Sequence, residues 1–185
     1  MPAKNSKSRA AFRHRRLSSP RSIRLLALLP SLEIQAALEA TLTEVSLDSI
    51  SKNKNSYEAL SYVWGSRFGT EPIRCDRQLL LVTPNCESAL RHLRLKDTTR
   101  ILWVDAICID QENGASSVKE RDAQVALMGE IYEKATRTLC WFGQGNGFTD
   151  ELMANLNRIG TCPSQRGLKK LLLFDGMRKH LKLQH

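Results

Sequence analysis

Apolar residues fall into short blocks along the middle of the chain, and these blocks predict strands that alternate with helices. Four blocks are typical of strands: residues 23–29, 58–64, 100–110 and 138–143. The third is almost continuously apolar, which indicates a strand covered on both faces. Between the blocks, apolar residues recur at helical spacing, for example Val125, Met128, Ile131, Tyr132 and Ala135.

Local signals refine this pattern. Thr83-Pro84 predicts a helix start, with a hydroxyl N-cap and proline at the first helical position. Residues 117–120 match a capping box in which Glu120 reaches back to the N-cap amide. Residues 149–160 predict a last helix, and its first turn contains Glu151. Residues 42–47 are predicted as an edge strand, 66–76 as a loop and 78–82 as a short strand.

The order strand, helix, strand, helix, strand, helix predicts an α/β fold with a mostly parallel sheet and flanking helices. Ligands of such sheets bind beyond the carboxyl ends of the strands. Trp64, Gly65, Asp110 and Gln111 are expected near those ends.

The net charge of +9 over 185 residues comes from the two ends of the chain. Residues 1–24 contribute +8 and residues 158–185 contribute +6, which leaves −5 for residues 25–157. A nucleic-acid-binding core would instead gather Lys and Arg on a folded face. We therefore predict a basic disordered tail over 1–21, a folded domain over 22–160 and a basic tail over 161–185, and we do not expect a nucleic-acid partner.

Features for export, membrane insertion and metal binding are not found in the sequence. No apolar run reaches the roughly 18–20 residues of a membrane span, and the N-terminus lacks a secretory apolar region. An Arg- and Ser-rich, acid-free start is typical of a mitochondrial transit peptide as well as of a disordered tail. The five cysteines are widely spaced without a CxxC pair, so no metal site is expected, and the thiols indicate a cytoplasmic protein.

Three blocks closely resemble the fungal heterokaryon incompatibility (HET) family: YEALSYVWG at 57–65, ILWVDAICIDQ at 101–111 with ERDAQVALMGEIYEKA at 120–135, and TLCWFG at 138–143. The resemblance covers about residues 22–145. It implies a module that triggers programmed cell death in non-self recognition, through protein partners or self-association. Members of the family often continue well past this domain, and a shortened gene product is one interpretation of the short C-terminal remainder.

The pattern is also similar, more distantly, to Toll/interleukin receptor (TIR) domains, which implies a TIR-like three-layer arrangement. Some TIR domains cleave NAD with a helical glutamate, and element order would give that place to Glu151. The alternative function is therefore a NAD-cleaving enzyme with NAD as substrate and with Asp110 and Glu151 as catalytic candidates; no other cofactor is expected.

Each candidate site residue also has a structural interpretation. Asp105 lies in an apolar block, so either the strand ends near Val104 and Asp105 opens into a cleft, or Asp105 pairs with Arg100 or Arg121. Asp110 and Gln111 fit a ligand crevice or a turn cap equally well. An acid in the first turn of a helix, such as Glu151, is favoured by the helix dipole alone. The remaining candidates are predicted to support the fold: Trp64 and Trp103 in the core, Glu120 in the capping box, and Arg121 and Gln124 through hydrogen bonds toward the segment 103–105.

Overall fold

The computed structural model describes residues 11–50, 56–65 and 68–143, which form one seven-stranded sheet with three helices. Residues up to Trp141 belong to one compact unit, and a second unit begins at Phe142, where only Phe142 and Gly143 are described. The strands are β1 Ser22–Leu28, β2 Glu39–Ser46, β3 Glu58–Tyr62, β4 Glu71–Cys75, β5 Gln78–Val82, β6 Arg100–Val104 and β7 Thr138–Trp141. The helices are α1 Pro84–Leu93, α2 Asp105–Cys108 and α3 Ala115–Lys134.

The described strands are ordered β5-β4-β2-β1-β6-β3-β7 across the sheet. Strand β1 is antiparallel to both of its neighbours, β2 and β6, and β4 is antiparallel to β5. The pairs β2–β4, β3–β6 and β3–β7 are parallel. The α/β class is confirmed, but the sheet is mixed, with three parallel pairings among six. The mostly parallel sheet and the TIR-like three-layer arrangement are not confirmed.

The core lies around the central strands β1, β6 and β3. Ile23, Leu26 and Leu28 of β1 are fully buried, as are Leu102 and Trp103 of β6. Side chains on both faces of these strands are covered, because alternate residues of a strand point to opposite sides. That burial explains the continuous apolar runs in their sequences. Within the described residues, no helix is long and apolar enough to cross a membrane.

Several predicted elements differ from the structure. The predicted edge strand 42–47 is β2, which lies inside the sheet between β1 and β4. The predicted loop 66–76 contains strand β4. This strand is only partly buried, and its Pro72 and polar residues are more typical of a loop. The apolar block 100–110 is not one strand, because β6 ends at Val104 and α2 begins at Asp105. The capping box over 117–120 is also wrong, since α3 begins at Ala115 with Gly114 as N-cap.

The start of α1 agrees with the sequence prediction. Thr83 is the N-cap, its hydroxyl accepts a hydrogen bond from the Cys86 amide at 3.2 Å, and Pro84 is the first helical residue. Residues 11–21, which were expected in the disordered tail, make contacts with the domain that are described below. The predicted last helix over 149–160 lies outside the described residues.

Candidate functional site

Trp64 and Asp105 meet where β3 and β6 end. The two strands are parallel neighbours, so the residues that follow them lie at the same edge of the sheet. The Trp64 indole Nε1 donates to Asp105 Oδ2 at 3.0 Å, while Asp105 Oδ1 accepts from the Ala106 amide at 2.7 Å. Gly65 follows Trp64 with φ of +72°, which favours glycine. Of the two interpretations of Asp105, the strand does end at Val104.

Gln111 and Arg121 extend this group by contacts to backbone carbonyls. Gln111 Nε2 donates to the Asp105 carbonyl at 3.3 Å, and Arg121 Nη1 donates to the Gln111 carbonyl at 3.4 Å. Arg100, the other predicted partner of Asp105, binds Glu58. These contacts tie the turn after β6 to α3, as expected for side chains that support the fold.

Asp110 lies in the loop after α2, where it faces the N-terminal part of the chain. Its Oδ1 accepts from the Glu112 amide at 3.0 Å and lies 3.6 Å from His14 Nδ1. Burial alone would raise the pKa of Asp110, but hydrogen bonds from the Glu112 amide and the Ser117 hydroxyl, with the charges of His14 and Arg24, lower it below its ordinary value. A lowered pKa favours the ionised carboxylate of Asp110 near neutral pH.

Glu120 forms a bidentate ion pair with Arg24. Arg24 Nη1 and Nη2 donate to the two carboxylate oxygens at 2.7 and 3.0 Å. The same guanidinium donates to the Cys108 carbonyl at 3.0 Å and to the Arg15 carbonyl at 2.6 Å. The Arg24 side chain is 5% exposed and that of Glu120 is 15% exposed. This pair was not predicted from the sequence, because Arg24 was grouped by its charge with the basic residues of the N-terminal segment 1–24.

Residues 11–18, here called the N-terminal strap, lie across this group. Ala11 forms a parallel bridge with Leu79 of β5, and His14 Nε2 lies 2.7 Å from the Ile107 carbonyl oxygen. The Leu17 amide donates to Glu120 Oε2 at 3.4 Å. Together with the loop after α2 and the start of α3, the strap encloses a cleft of about 220 Å³. The cleft is lined by Arg13, His14, Arg16, Asp110, Glu112, Ser116, Ser117 and Glu120.

Trp103 and Gln124 belong to the core. Trp103 is fully buried and contacts the edge of Tyr132, with ring centroids 5.4 Å apart. Gln124, which is 1% exposed, donates from Nε2 to the Ser22 carbonyl at 2.9 Å. Both contacts fix α3 against the central strands β1 and β6. Trp103 lies in the core as predicted, whereas Gln124 binds Ser22 of β1 and not the strand that ends at Val104, toward which its hydrogen bond was predicted.

The thiols of Cys75, Cys86 and Cys108 are buried, and burial raises the pKa of each to about 12. Cys140, in contrast, is exposed. A thiol with a raised pKa is a poor nucleophile at neutral pH, so the three buried thiols act as small apolar groups. In the described part of the chain, no cluster of three His, Cys, Asp or Glu side chains could hold a metal ion.

The predicted site residues thus fall into two neighbouring groups. One joins Trp64, Asp105, Gln111 and Arg121, and the other joins Asp110 and Glu120 with the strap and Arg24. Glu151, the second catalytic candidate, lies outside the described residues. His14 and Arg24 were not candidates, because their partners lie 93 and 96 residues further along the chain.

The family model for heterokaryon incompatibility protein (HET) matches residues 57–174. The chain is 33% identical over 118 residues to heterokaryon incompatibility protein 6, OR allele, of Neurospora crassa. That alignment covers 57% of this chain and 17% of the relative, so the chain spans only a small part of the relative's length. No solved structure matches the chain significantly.

Proposed function

Because the chain belongs to the heterokaryon incompatibility family, we propose that it triggers programmed cell death in fungal non-self recognition by regulated self-association. Family membership supports a role in heterokaryon incompatibility. The lethal event and the assembly step are our proposal, as is action in the cytoplasm.

One structural observation favours assembly over catalysis. The described residues of the family motif are bound within the domain: Asp105 by Trp64, Glu120 by Arg24 and Gln124 by the Ser22 carbonyl. These side chains are engaged in contacts that stabilise the fold, so we expect contacts with other molecules to be made by surface residues. Asp110 Oδ1 accepts from the Glu112 amide at 3.0 Å and lies 3.6 Å from His14 Nδ1.

Three exposed apolar residues in the loops after β1 and α1 form a surface at which self-association can be tested. Leu32 and Ile34, in the loop after β1, are 82% and 55% exposed, and Leu95, which follows α1, is 39% exposed. The Ser31 amide donates to the Leu95 carbonyl at 3.1 Å, which holds the two loops together. Exposed apolar side chains that lie close together are a common feature of protein–protein contact surfaces.

We expect the double substitution Leu32→Asp/Ile34→Asp to reduce self-association and cell death together, because it places charge on this apolar surface. Both side chains are largely exposed, so the thermal midpoint of unfolding should change little. Association is measured by fluorescence energy transfer between tagged copies in fungal cells, and death by dye uptake after induced expression.

Val125→Asp is the matched control, since Val125 is a 41% exposed apolar residue on α3. It should retain both association and death. Death without association in the wild-type chain would reject the assembly mechanism, and association without death would reject the toxic role. Nicotinamide release by the purified chain, abolished by Asp110→Ala, would return the enzymatic alternative.

A further inference from the structure

Ser18 is the last residue of the N-terminal strap, and one acidic side chain holds it on the domain. The Ser18 amide and hydroxyl both donate to Glu44 Oε1 of β2, at 2.9 and 2.6 Å. Hydrogen bonds from the Ser18 and Ser22 hydroxyls and from the Ser18 amide lower the pKa of Glu44, which favours its ionised carboxylate. Ser18 itself is exposed. The attachment is therefore a surface contact in which a hydroxyl donates to a negative charge.

The residues before Ser18 are basic. Arg15 and Arg16 occupy the third and second positions before it, and they are the only two adjacent arginines in the 185-residue sequence. Both are exposed, and residues 12–17 form neither helix nor strand. Basophilic protein kinases, whose substrate sites carry acidic groups, recognise an extended segment with arginines two and three residues before the phosphorylated serine. Ser18 fits this pattern.

Ser19, the neighbouring hydroxyl, fits the pattern less well. Only Arg16 lies two or three residues before it, and Pro20 follows it. Its hydroxyl accepts from the Arg21 amide at 3.2 Å, which holds Ser19 in a turn and not in an extended segment. The pattern of charge and backbone conformation therefore selects Ser18 as the acceptor.

We propose that Ser18 is a phosphorylation site for a basophilic protein kinase, and that its phosphorylation releases the adjoining end of the N-terminal strap. In the reaction, Ser18 Oγ attacks the γ-phosphorus of ATP. The Oγ–P bond forms, the bond from this phosphorus to the β–γ bridging oxygen breaks, ADP leaves, and the hydroxyl proton passes to the catalytic aspartate of the kinase. The kinase acts on the transiently open strap, because Ser18 has to leave Glu44 before its Oγ can attack.

Phosphorylation weakens the attachment in two ways. It removes the hydroxyl hydrogen that binds Glu44, and it places about 1.5–2 negative charges beside that carboxylate. Arg21 and Arg24, the arginines that follow in the sequence, already form ion pairs within the domain. The two arginines before Ser18 belong to the strap itself, so their pairing with the phosphate does not hold the strap on the domain. Repulsion from Glu44 therefore favours the open strap.

Release of this end changes the contacts of the buried ion pair beneath the strap. The Leu17 amide leaves Glu120 Oε2, to which it donates at 3.4 Å, and the Arg15 carbonyl leaves Arg24 Nη2. The cleft lined by the strap then opens on that side. Phosphorylation of an exposed serine is thereby coupled to the centre of the domain. This modification goes beyond the proposed self-association and does not depend on it.

The site is tested on the full-length chain with magnesium, ATP and the catalytic subunit of cAMP-dependent protein kinase, a basophilic kinase. Intact mass spectrometry measures the phosphate incorporated, and fragmentation of peptides locates it. We expect phosphate on Ser18, retained at that position in the matched control Ser19→Ala and lost in Ser18→Ala. The double variant Arg15→Gln/Arg16→Gln should be phosphorylated at least about tenfold more slowly, since it lacks both recognised charges.

Release of the strap is measured by amide hydrogen exchange of Leu17, followed by ¹H–¹⁵N NMR, with phosphorylated and unmodified peptides of residues 11–21 as unfolded references. Phosphorylation should raise the opening constant of this amide about threefold to tenfold. Glu44→Gln keeps an oxygen acceptor but not the charge, so phosphorylation should raise its opening constant clearly less. The Arg94 amide, bound to the Leu90 carbonyl at the end of α1, should be unaffected.

Three results would overturn the proposal. The first is a chain that carries phosphate on Ser19 or elsewhere while Ser18 stays unmodified. The second is an opening constant of Leu17 that is equal before and after phosphorylation, or that rises equally in wild type and Glu44→Gln. The third is a rise shared by Leu17 and Arg94, since it would show that the phosphate destabilises the whole domain and does not act on the strap.

Discussion

The ion pair between Arg24 and Glu120 connects strand β1 to α3, the longest of the described helices. The Arg24 side chain is buried and that of Glu120 is largely covered, and Arg24 Nη1 and Nη2 also donate to the Cys108 and Arg15 carbonyls. A buried pair of this kind adds little net stability compared with apolar residues, but loss of one partner leaves the other charge uncompensated. The consequence is strong coupling between two positions that are 96 residues apart.

At this residue scale, we expect Arg24→Met to lower the free energy of unfolding by about 3–5 kcal/mol, because the largely covered Glu120 side chain then loses its ion-pair partner. The double variant Arg24→Met/Glu120→Leu should recover a large part of that loss. Urea denaturation of both variants and of the single variant Glu120→Leu gives a double-mutant cycle, from which the coupling free energy of the pair is obtained. Additive losses would show that the two residues are not coupled.

Glu58 provides a pH-dependent contribution at the same scale. Burial raises its pKa, but hydrogen bonds from Arg100 and Arg137 outweigh burial and lower the pKa below its ordinary value. A carboxylate with a depressed pKa in the folded state stabilises the protein above its unfolded pKa, and this contribution is lost as the pH falls through the folded value.

We therefore expect the free energy of unfolding to fall between about pH 5 and pH 3, and Glu58→Gln to show a smaller fall. Glu39→Gln is the matched control, because the Glu39 carboxylate beside Arg74 is 46% exposed. Urea denaturation at each pH gives the free energy of unfolding, and its slope against pH is compared between wild type and the two variants. Equal slopes for wild type and Glu58→Gln would contradict the assignment.

Among the elements, helix α1 has the clearest local signal. Its N-cap and first-turn proline lie next to each other in the sequence, so they could be recognised without knowledge of the fold. We expect Thr83→Ala to cost about 1 kcal/mol, because the Cys86 amide loses its acceptor at a buried position. Thr83→Ser keeps the hydroxyl and should cost clearly less in the same urea denaturation experiment.

Elements whose identity depends on distant partners were harder to predict. Helix α3 was assigned a capping box at Ser117–Glu120, yet Glu120 is bound by Arg24, and the helix begins two residues before Ser117. Strand β4 has Pro72 and charged side chains that are typical of a loop, and it is a strand because β2 and β5 pair with its two edges. In both cases tertiary contacts outweigh the local pattern.

At the scale of the whole molecule, the sequence predicts the α/β class but not the strand directions. The chain runs from β3 through β4, β5 and α1 to β6, and from β6 through α2 and α3 to β7, and both β6 and β7 are parallel to β3, as the alternation of strands and helices predicts. The alternation does not predict the direction of β1, which runs antiparallel to β6 in the centre of the sheet. The candidate site was also predicted only in part. Asp110 and Glu120 were recognised as candidates, but His14 and Arg24, which contact them from the N-terminal part of the chain, were not.

The strand order also determines when this sheet can be completed during synthesis on the ribosome. Strand β3 lies between β6 and β7, and both neighbours follow it in the chain. The β1–β2 hairpin can form early, whereas β3 has no permanent partner until Arg100–Val104 has been made, and its second edge stays open until Thr138–Trp141 emerges. The nascent chain therefore carries an apolar β3 without a strand partner from its own synthesis until Arg100–Val104 has been made, a state in which chaperones commonly bind.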